Sequence, residues 1–181
     1  MSLKHVILVV LKKGSASGYD INQTFEGPLG IFWSTSHQRV YRALATLTKD
    51  DWVSFEHQPQ AGKPDKKIYS IRPIGDAELT KWLDESQQSS PVNESLLVKF
   101  FAGELCPTPA LLKQIEQLSQ ENRIKLEYYR TEADKITAGI DHASIEVRRG
   151  YLTLRRGILM EEARLEWCLE AIAMLKQDLG Q

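Results

Sequence analysis

Residues 36–72, SHQRVYRALATLTKDDWVSFEHQPQAGKPDKKIYSIR, decide the fold of this chain. The stretch opens on an amphipathic helical pattern, in which four apolar residues recur at i, i+3, i+4 and i+7: Val40, Ala43, Leu44 and Leu47. Two runs that alternate apolar and polar residues follow, one around Val53 and one around Tyr69, and they predict two antiparallel strands. Gly62 and Pro64 supply turn residues between the strands, so the pattern predicts a helix followed by a hairpin.

Further helical patterns surround this stretch. An apolar stripe over residues 3–11 ends at Gly14, and Ser17 is expected to cap a second helix. The apolar run near the start is interrupted by charged residues and is expected to be a core helix rather than a signal peptide. Thr35 lies three residues before a glutamine, which is capping-box spacing and predicts that the third helix begins there. A fourth helix is expected over about residues 73–85.

The polar, proline-containing segment SQQSSPVNES at residues 86–95 predicts a domain boundary. We expect one domain over residues 1–87 and another over residues 93–181. No strand pattern follows the boundary. A short helix is expected over residues 96–105, and two long amphipathic helices follow it with apolar seams of nearly coiled-coil period.

The two long helices together have a limited core of their own, so part of their seams is expected to pack against another chain. The predicted dimerisation residues are Leu111, Ile115, Leu118, Tyr151, Leu154, Ile158, Leu165, Ile172 and Leu175. Asn122 and Glu161 interrupt the seams. They either fix the register of a helix interface or lie at the wet edge of the seam.

Composition and charge are those of an ordinary soluble protein. The chain has 181 residues, of which 42% are hydrophobic and 26% charged, and its net charge is −1. No run approaches the roughly 18 apolar residues of a membrane helix, so no membrane is expected as a partner. Cys106 and Cys168 are far apart and suit reduced thiols in a cytoplasm.

No catalytic constellation is present in the sequence. It contains none of the nucleotide-binding, serine-hydrolase, zinc-protease or paired-cysteine motifs. The four histidines fall in different elements, without a carboxylate or cysteine at ligand spacing. We therefore expect no enzyme, no metal and no cofactor.

The polar face of the third helix is the first candidate site. Gln38 can read adenine with two hydrogen bonds and Arg42 can read guanine, and they are four residues apart on one side of the helix. His37, Arg39 and Tyr41 are placed to reach phosphates. The alternative is that these residues form only a solvated helix face.

The hairpin is the second candidate site. Lys63, Lys66 and Lys67 cluster near its turn, where mobile ammonium groups suit contacts with a nucleic-acid backbone. Lysines that guard the edge of a sheet are the alternative. Residues 33–72 carry seven basic and four acidic side chains, an excess of +3, which is too small for a monomer to hold DNA well. A helix with a basic hairpin predicts a winged helix that binds DNA as a dimer.

The sequence resembles the PadR-like transcriptional regulators. The resemblance rests on SGYDI (17–21), FW (32–33), HQRVYRAL (37–44), GKPDKKIYSI (62–71) and Trp82, and within the family on LTLRR (152–156) and the long helical second half, which are most similar to virulence activators. One departure is IRPIG (71–75), in which Arg72 and Pro73 stand where the family usually continues its strand. Pro73 suits the first turn of a helix, and Arg72 is expected to add a phosphate contact.

The resemblance implies a mainly α-helical fold, with an N-terminal winged helix-turn-helix domain and a C-terminal antiparallel helical dimerisation domain. It implies a homodimer on double-stranded promoter DNA at a partly palindromic site, read by Gln38, Arg39, Tyr41 and Arg42. The wing lysines would hold the flanking backbone. A protein-interaction adaptor that has lost DNA binding is the alternative. The sequence leaves the operator, the sense of regulation and any small-molecule effector undetermined.

Overall fold

The computed structural model describes residues 2–60, 63–86, 94–137 and 139–180. Contacts within the chain divide it into two units, Met1–Ser89 and Ser90–Gln181. The first unit contains α1 (Leu3–Lys13), β1 (Ala16–Ser17), α2 (Gly18–Glu26), a 3-10 turn (Pro28–Ile31), α3 (His37–Lys49), β2 (Val53–Gln60), β3 (Lys63–Ile71) and α4 (Pro73–Asp84). The second contains α5 (Ser95–Phe101), a 3-10 turn (Gly103–Leu105), α6 (Thr108–Thr137), a 3-10 turn (Ile140–His142) and α7 (Ile145–Asp178). The mainly helical fold class is therefore confirmed.

One apolar core holds the first unit together. Within the stripe predicted for α1, residues Val6, Ile7 and Leu11 are buried, while Leu3 and Val10 at its edges are half-buried. The apolar face of α3 is buried at Val40, Leu44 and Leu47. Ile21 of α2, Val53 of β2, Tyr69 of β3 and Leu79 of α4 complete this core. Burial of each such side chain contributes roughly 1.5–3 kcal/mol, so the core fixes α3 with its polar face outward.

The sheet is a three-stranded antiparallel sheet in the order β1-β3-β2. The predicted hairpin is confirmed, with Phe55 opposite Tyr69 and a register irregularity between Gln58 and Gln60. Pro64, predicted as a turn residue, lies instead within β3, and Gly62 lies outside the described residues. Strand β1 pairs with β3 through Ala16 and Ser17, and the sequence did not predict it. Two residues are too few to show an alternating pattern, so only the tertiary fold reveals this strand.

Helix starts show both a success and an error of prediction. Ser17 caps α2 as predicted: its hydroxyl accepts from the backbone N–H of Asp20, and the Asp20 carboxylate accepts from the N–H of Ser17. The prediction for Thr35 is wrong, because α3 begins at His37 after Ser36 and no side chain caps it. The helix ends at Lys49, and Asp51 then adopts a left-handed backbone with φ of 61° that Asp tolerates better than most residues.

The second unit is an antiparallel pair of long helices with a short helix beside it. Leu111 near the start of α6 packs with Leu175 near the end of α7. Further along, Arg130 pairs with Glu162, so the two helices run in opposite directions. The short helix expected over residues 96–105 is interrupted after Phe101, where Gly103 takes a left-handed φ of 57°.

Polar side chains are buried within the seam of α6 and α7. Asn122 donates to the sulfur of Cys168 at 3.8 Å, and Glu161 accepts from Arg164 at 2.9 Å. Burial raises the pKa of the Cys168 thiol. Both predicted seam-breaking residues thus lie inside the helix pair of one chain, rather than at its wet edge. In the described part of the chain, no helix is both long and apolar enough to cross a membrane.

Candidate nucleic-acid interface

The outward side of α3 carries the first predicted contact residues. We call Gln38, Arg39, Tyr41 and Arg42 the reading face, and all four side chains are exposed. Among the described residues, neither Arg39 nor Arg42 has an ion-pair partner. Because Val40, Leu44 and Leu47 on the opposite side of α3 are fully buried, these guanidinium groups stand on a rigid support with their charge unneutralised.

His37 and Arg72 are already paired within the first unit. His37 lies next to Glu26 of α2, with 2.7 Å between the imidazole Nε2 and the carboxylate. Arg72 pairs with Asp51, just after α3. Both pairs are exposed, and exposed pairs contribute about 0–1 kcal/mol, so a phosphate can compete for either side chain.

The hairpin lysines have separate surroundings. Lys66 lies 3.2 Å from the carboxylate of Asp20 at the start of α2. The Lys67 ammonium lies over the ring of Phe55, 4.2 Å from its centroid. The backbone of Lys63 begins β3, and its side chain lies outside the described residues.

Close backbone contacts fix the hairpin against α3. The amide of Trp52 donates to the carbonyl of Leu47, and the amide of Arg72 donates to the carbonyl of Trp52. Gly75 lets α4 approach the same turn, because a Cβ at that position would lie 2.2 Å from the Trp52 carbonyl oxygen. The end of α3, the hairpin and α4 are therefore joined at one point.

A cleft of about 450 Å³ lies between the start of α2, α3 and β3. We call it the tyrosine cleft, after the three phenol side chains among its lining residues: Ser17, Gly18, Tyr19, Tyr41, Asp65, Lys66, Lys67 and Tyr69. Tyr69 is buried, and this burial raises its pKa. Of the lining residues, only Tyr41, Lys66 and Lys67 were predicted from the sequence to contact DNA.

The second unit shows where the predicted dimerisation residues lie. Leu111, Ile115, Leu154, Ile158 and Leu175 are buried within a single chain, and Leu118, Tyr151, Leu165 and Ile172 are half-buried. Other apolar side chains remain exposed. Among them, Ile145, Leu152 and Leu159 follow one another at seven-residue spacing on α7, and we call them the outer stripe. Within the described residues, no cluster of His, Cys, Asp and Glu suits a metal ion.

Helix, hairpin and exposed cationic face together define the first unit as a winged helix. A family model described as "Transcriptional regulator PadR-like family" matches residues 7–81, and one described as "Virulence activator alpha C-term" matches residues 92–176. The probable transcriptional regulator Rv1176c of Mycobacterium tuberculosis is 32% identical to this chain, and the match covers 98% of this chain and 99% of the relative. The negative transcriptional regulator PadR of Bacillus subtilis is 31% identical, with 97% and 98% covered.

Two solved structures are similar to this chain over nearly its whole length. The Vibrio cholerae virulence activator AphA has a TM-score of 0.81 at 30% identity, over 97% of this chain and 99% of that one. Bacillus subtilis PadR in complex with operator DNA has a TM-score of 0.79 at 28% identity, over 96% and 98%. The chain belongs to the PadR-like family of transcriptional regulators. The resemblance read from the sequence, including that to the virulence activators, is confirmed.

Proposed function

We propose that this protein is a cytoplasmic, homodimeric transcriptional regulator that binds a partly palindromic site in double-stranded promoter DNA through α3 and its wing. One observation carries the proposal. Arg39 and Arg42 stand exposed on a helix whose other side is fully buried, and they lack an ion-pair partner among the described residues. Arginines in this state suit base edges and phosphates in a major groove.

The exposure of these side chains supports a role for each. Gln38 and Arg42 would read bases, while Arg39 and Tyr41 would contact phosphates. His37 and Arg72 would exchange their carboxylate partners for phosphate oxygens. Lys63, Lys66 and Lys67 would follow the backbone beside the groove. Bacillus subtilis PadR, which has been solved with operator DNA, supports this use of the fold.

A dimer is required by the weak charge of one copy. A chain with a net charge of −1 has little general attraction for DNA, so the reading faces of two copies must bind the same DNA together. In a winged-helix dimer they would lie about 34–36 Å apart, or a multiple of that distance. The exposed outer stripe on α7 supports a helix-to-helix contact between copies.

We assign residues 1–87 to DNA binding and residues 93–181 to dimerisation. The two family matches fall on either side of this boundary. The nine predicted seam residues would then act in two ways. The buried ones hold α6 against α7, and the half-buried ones, with the outer stripe, face the second copy. The relatives are transcriptional regulators, which supports a role without enzymatic activity.

Recovery of bound genomic DNA tests the proposal. The purified protein is incubated with sheared genomic DNA of its source, and the fragments that co-purify are sequenced. We expect promoter fragments, which the protein then shifts in a salt-sensitive mobility titration. A protein that shifts none of them at any salt concentration is not a DNA-binding regulator.

Replacement of Lys63, Lys66 and Lys67 by Ala separates the proposal from the adaptor alternative. A regulator loses DNA affinity and part of its salt dependence. An adaptor on a winged-helix scaffold keeps its partner protein and shows no DNA binding to lose.

A further inference from the structure

The sequence SGYDI at residues 17–21 is the starting point, because the fold accounts for four of its five residues. Ser17 caps α2, and Asp20 completes the capping box and reaches Lys66. Ile21 is fully buried in the core. Gly18 admits a neighbour: a Cβ there would lie 2.6 Å from Cε1 of the Tyr41 ring. Tyr19 remains, 61% exposed, and packing does not explain it.

Tyr19 borders the tyrosine cleft together with Tyr41, which is 50% exposed. Two phenols that stay in water beside one cleft offer hydroxyl donors to a ligand. The direct contact between Gly18 and the Tyr41 ring holds the reading face against the start of α2. The Lys66–Asp20 pair ties the wing to the same point. The start of α2, the reading face of α3 and the wing therefore meet at this cleft.

The charges around the cleft are balanced. Lys66 and Lys67 contribute two positive charges to its lining, and Asp65 contributes one negative charge. Asp20, which pairs with Lys66, supplies the second negative charge. Hydrogen bonds from Ser17 lower the pKa of Asp20, so its carboxylate stays charged. The exposed hydroxyls of Tyr19 and Tyr41 can donate to a singly charged acceptor such as a phosphodiester, and hydrogen bonds to an ionised acceptor are the stronger ones.

We infer that the tyrosine cleft seats one phosphodiester of the DNA backbone, to which the hydroxyls of Tyr19 and Tyr41 donate hydrogen bonds. The inference rests on the proposed function. The backbone of duplex DNA is the phosphate source, since the reading face and the wing form two walls of the cleft. Tyr19 is thus a DNA contact outside α3 and the wing. Gly18 is a positioning residue that acts through Tyr41.

The first test removes one hydroxyl. Binding of a fluorescent mixed-sequence duplex at low salt is measured by anisotropy for the wild type and for Tyr19→Phe. A hydrogen bond to a charged group is lost, so affinity falls about tenfold. Because a phosphate contact is blind to sequence, affinity for a recovered promoter fragment falls by the same factor. Tyr128→Phe, which changes an exposed tyrosine of α6, is the matched control and keeps full affinity.

The second test concerns Gly18. Gly18→Ala displaces the Tyr41 ring and weakens DNA binding, whereas Gly14→Ala places its Cβ in open space and changes nothing. In a double-mutant cycle, Gly18→Ala costs little further affinity once Tyr41 is Ala. Additive losses would show that Gly18 does not act through Tyr41. If Gly18→Ala fails to fold, Tyr19→Phe still decides whether the cleft binds DNA.

The third test predicts a gain. Asp65→Asn removes a negative charge from the lining, so affinity rises by about two- to fivefold at low salt and less at high salt. A wild type that binds no duplex overturns the proposed function, and the cleft with it. A wild type that binds while Tyr19→Phe and Asp65→Asn bind equally well overturns the cleft alone.

Discussion

The two units of this chain differ in the side chains that they expose to water. The first unit encloses a single apolar core and turns cationic and hydroxyl groups toward water, at Arg39, Arg42, Tyr19 and Tyr41. The second unit buries polar groups, Asn122 and Glu161, in the seam of two long helices. Both units bury polar side chains and expose apolar ones, but the exposure is greater in the second unit. Among the described residues, Phe101 is 93% and Leu105 88% exposed there, whereas Leu83 of the first unit reaches 63%.

This contrast supports the partner proposed for each unit. An exposed polar and cationic surface over a complete core suits a polyanion, because only the contact groups need to be desolvated. Exposed apolar side chains on paired helices suit a second protein surface, since their burial is favourable by roughly 25 cal/mol per Å². The division of labour proposed for the chain follows from this difference, and the experiments below are designed to break it.

The largest expected effect comes from charging the outer stripe. The double variant Leu152→Glu and Leu159→Glu places two carboxylates where apolar contacts with a second copy are proposed. We expect monomers in sedimentation and a loss of DNA affinity of about 10²–10⁴-fold, because the second reading face no longer binds in the same complex. The control is Gln120→Glu with Gln177→Glu, two exposed glutamines on α6 and α7. If the double variant remains a dimer, the interface between copies does not include the outer stripe.

A core truncation compares the inside of α6 with its outside. Ile115 is fully buried, so Ile115→Ala should cost about 2–5 kcal/mol of unfolding free energy, measured in urea. Ile124 lies on the same helix and is 60% exposed, so Ile124→Ala should change it by less than about 0.5 kcal/mol. A comparable loss for Ile124→Ala would mean that a second copy covers this position.

The reading face should discriminate between sequences. Arg42→Ala is expected to weaken binding to a recovered promoter fragment by about 1–3 kcal/mol while mixed-sequence DNA loses much less. Competition titrations with both duplexes measure the ratio. Thr46→Ala, one helical turn further along the exposed side of α3, is the control. Equal losses on both duplexes would make Arg42 a phosphate contact only.

The smallest effect is a pH dependence of the first unit. Hydrogen bonds from Ser17, together with Lys66, lower the folded-state pKa of Asp20 below its ordinary value of 3.8. Its stabilisation is therefore complete above pH 3.8 and is lost as the pH falls through the lower folded-state value. Because the side chain is 48% exposed, we expect less than about 1 kcal/mol.

Unfolding of the wild type and of Asp20→Asn across this pH range measures the contribution of Asp20. The stability difference between them should be constant near neutral pH and shrink below pH 3.8. Asp134→Asn, an exposed position on α6, should show no such trend. A difference that grows on acidification contradicts the assigned role of Asp20.

Particular residues show how far the sequence could be read. The helical face of Val40, Leu44 and Leu47 and the hairpin after it were predictable, because their periods of 3.6 and 2 are local. In the capping pair, Ser17 was predicted to cap α2, but its partner Asp20 was not predicted. Thr35 was misread, since capping-box spacing is a permissive signal that backbone geometry overrules.

The candidate site was predictable only where it is a helix face. Gln38, Arg39, Tyr41 and Arg42 are exposed as α3 requires. The partners of the wing lysines were not predictable: Lys66 meets Asp20 and Lys67 meets Phe55. Tyr19 was missed because one exposed tyrosine at the start of a helix has no periodicity to reveal it. The role proposed for Tyr19 depends on its position beside Tyr41 in the tyrosine cleft.

The sequence by itself determined the order of the main helices and of the two hairpin strands, the polar face of α3 and membership of the PadR-like family. Each is written in local spacing or in separated motifs that keep their order. Only the tertiary structure decided that β1 joins the sheet, that Gly18 lies against Tyr41, and that Leu111, Ile115 and Leu175 are buried within one chain. These contacts join segments far apart along the chain, so they depend on how the core closes and not on any period within a segment.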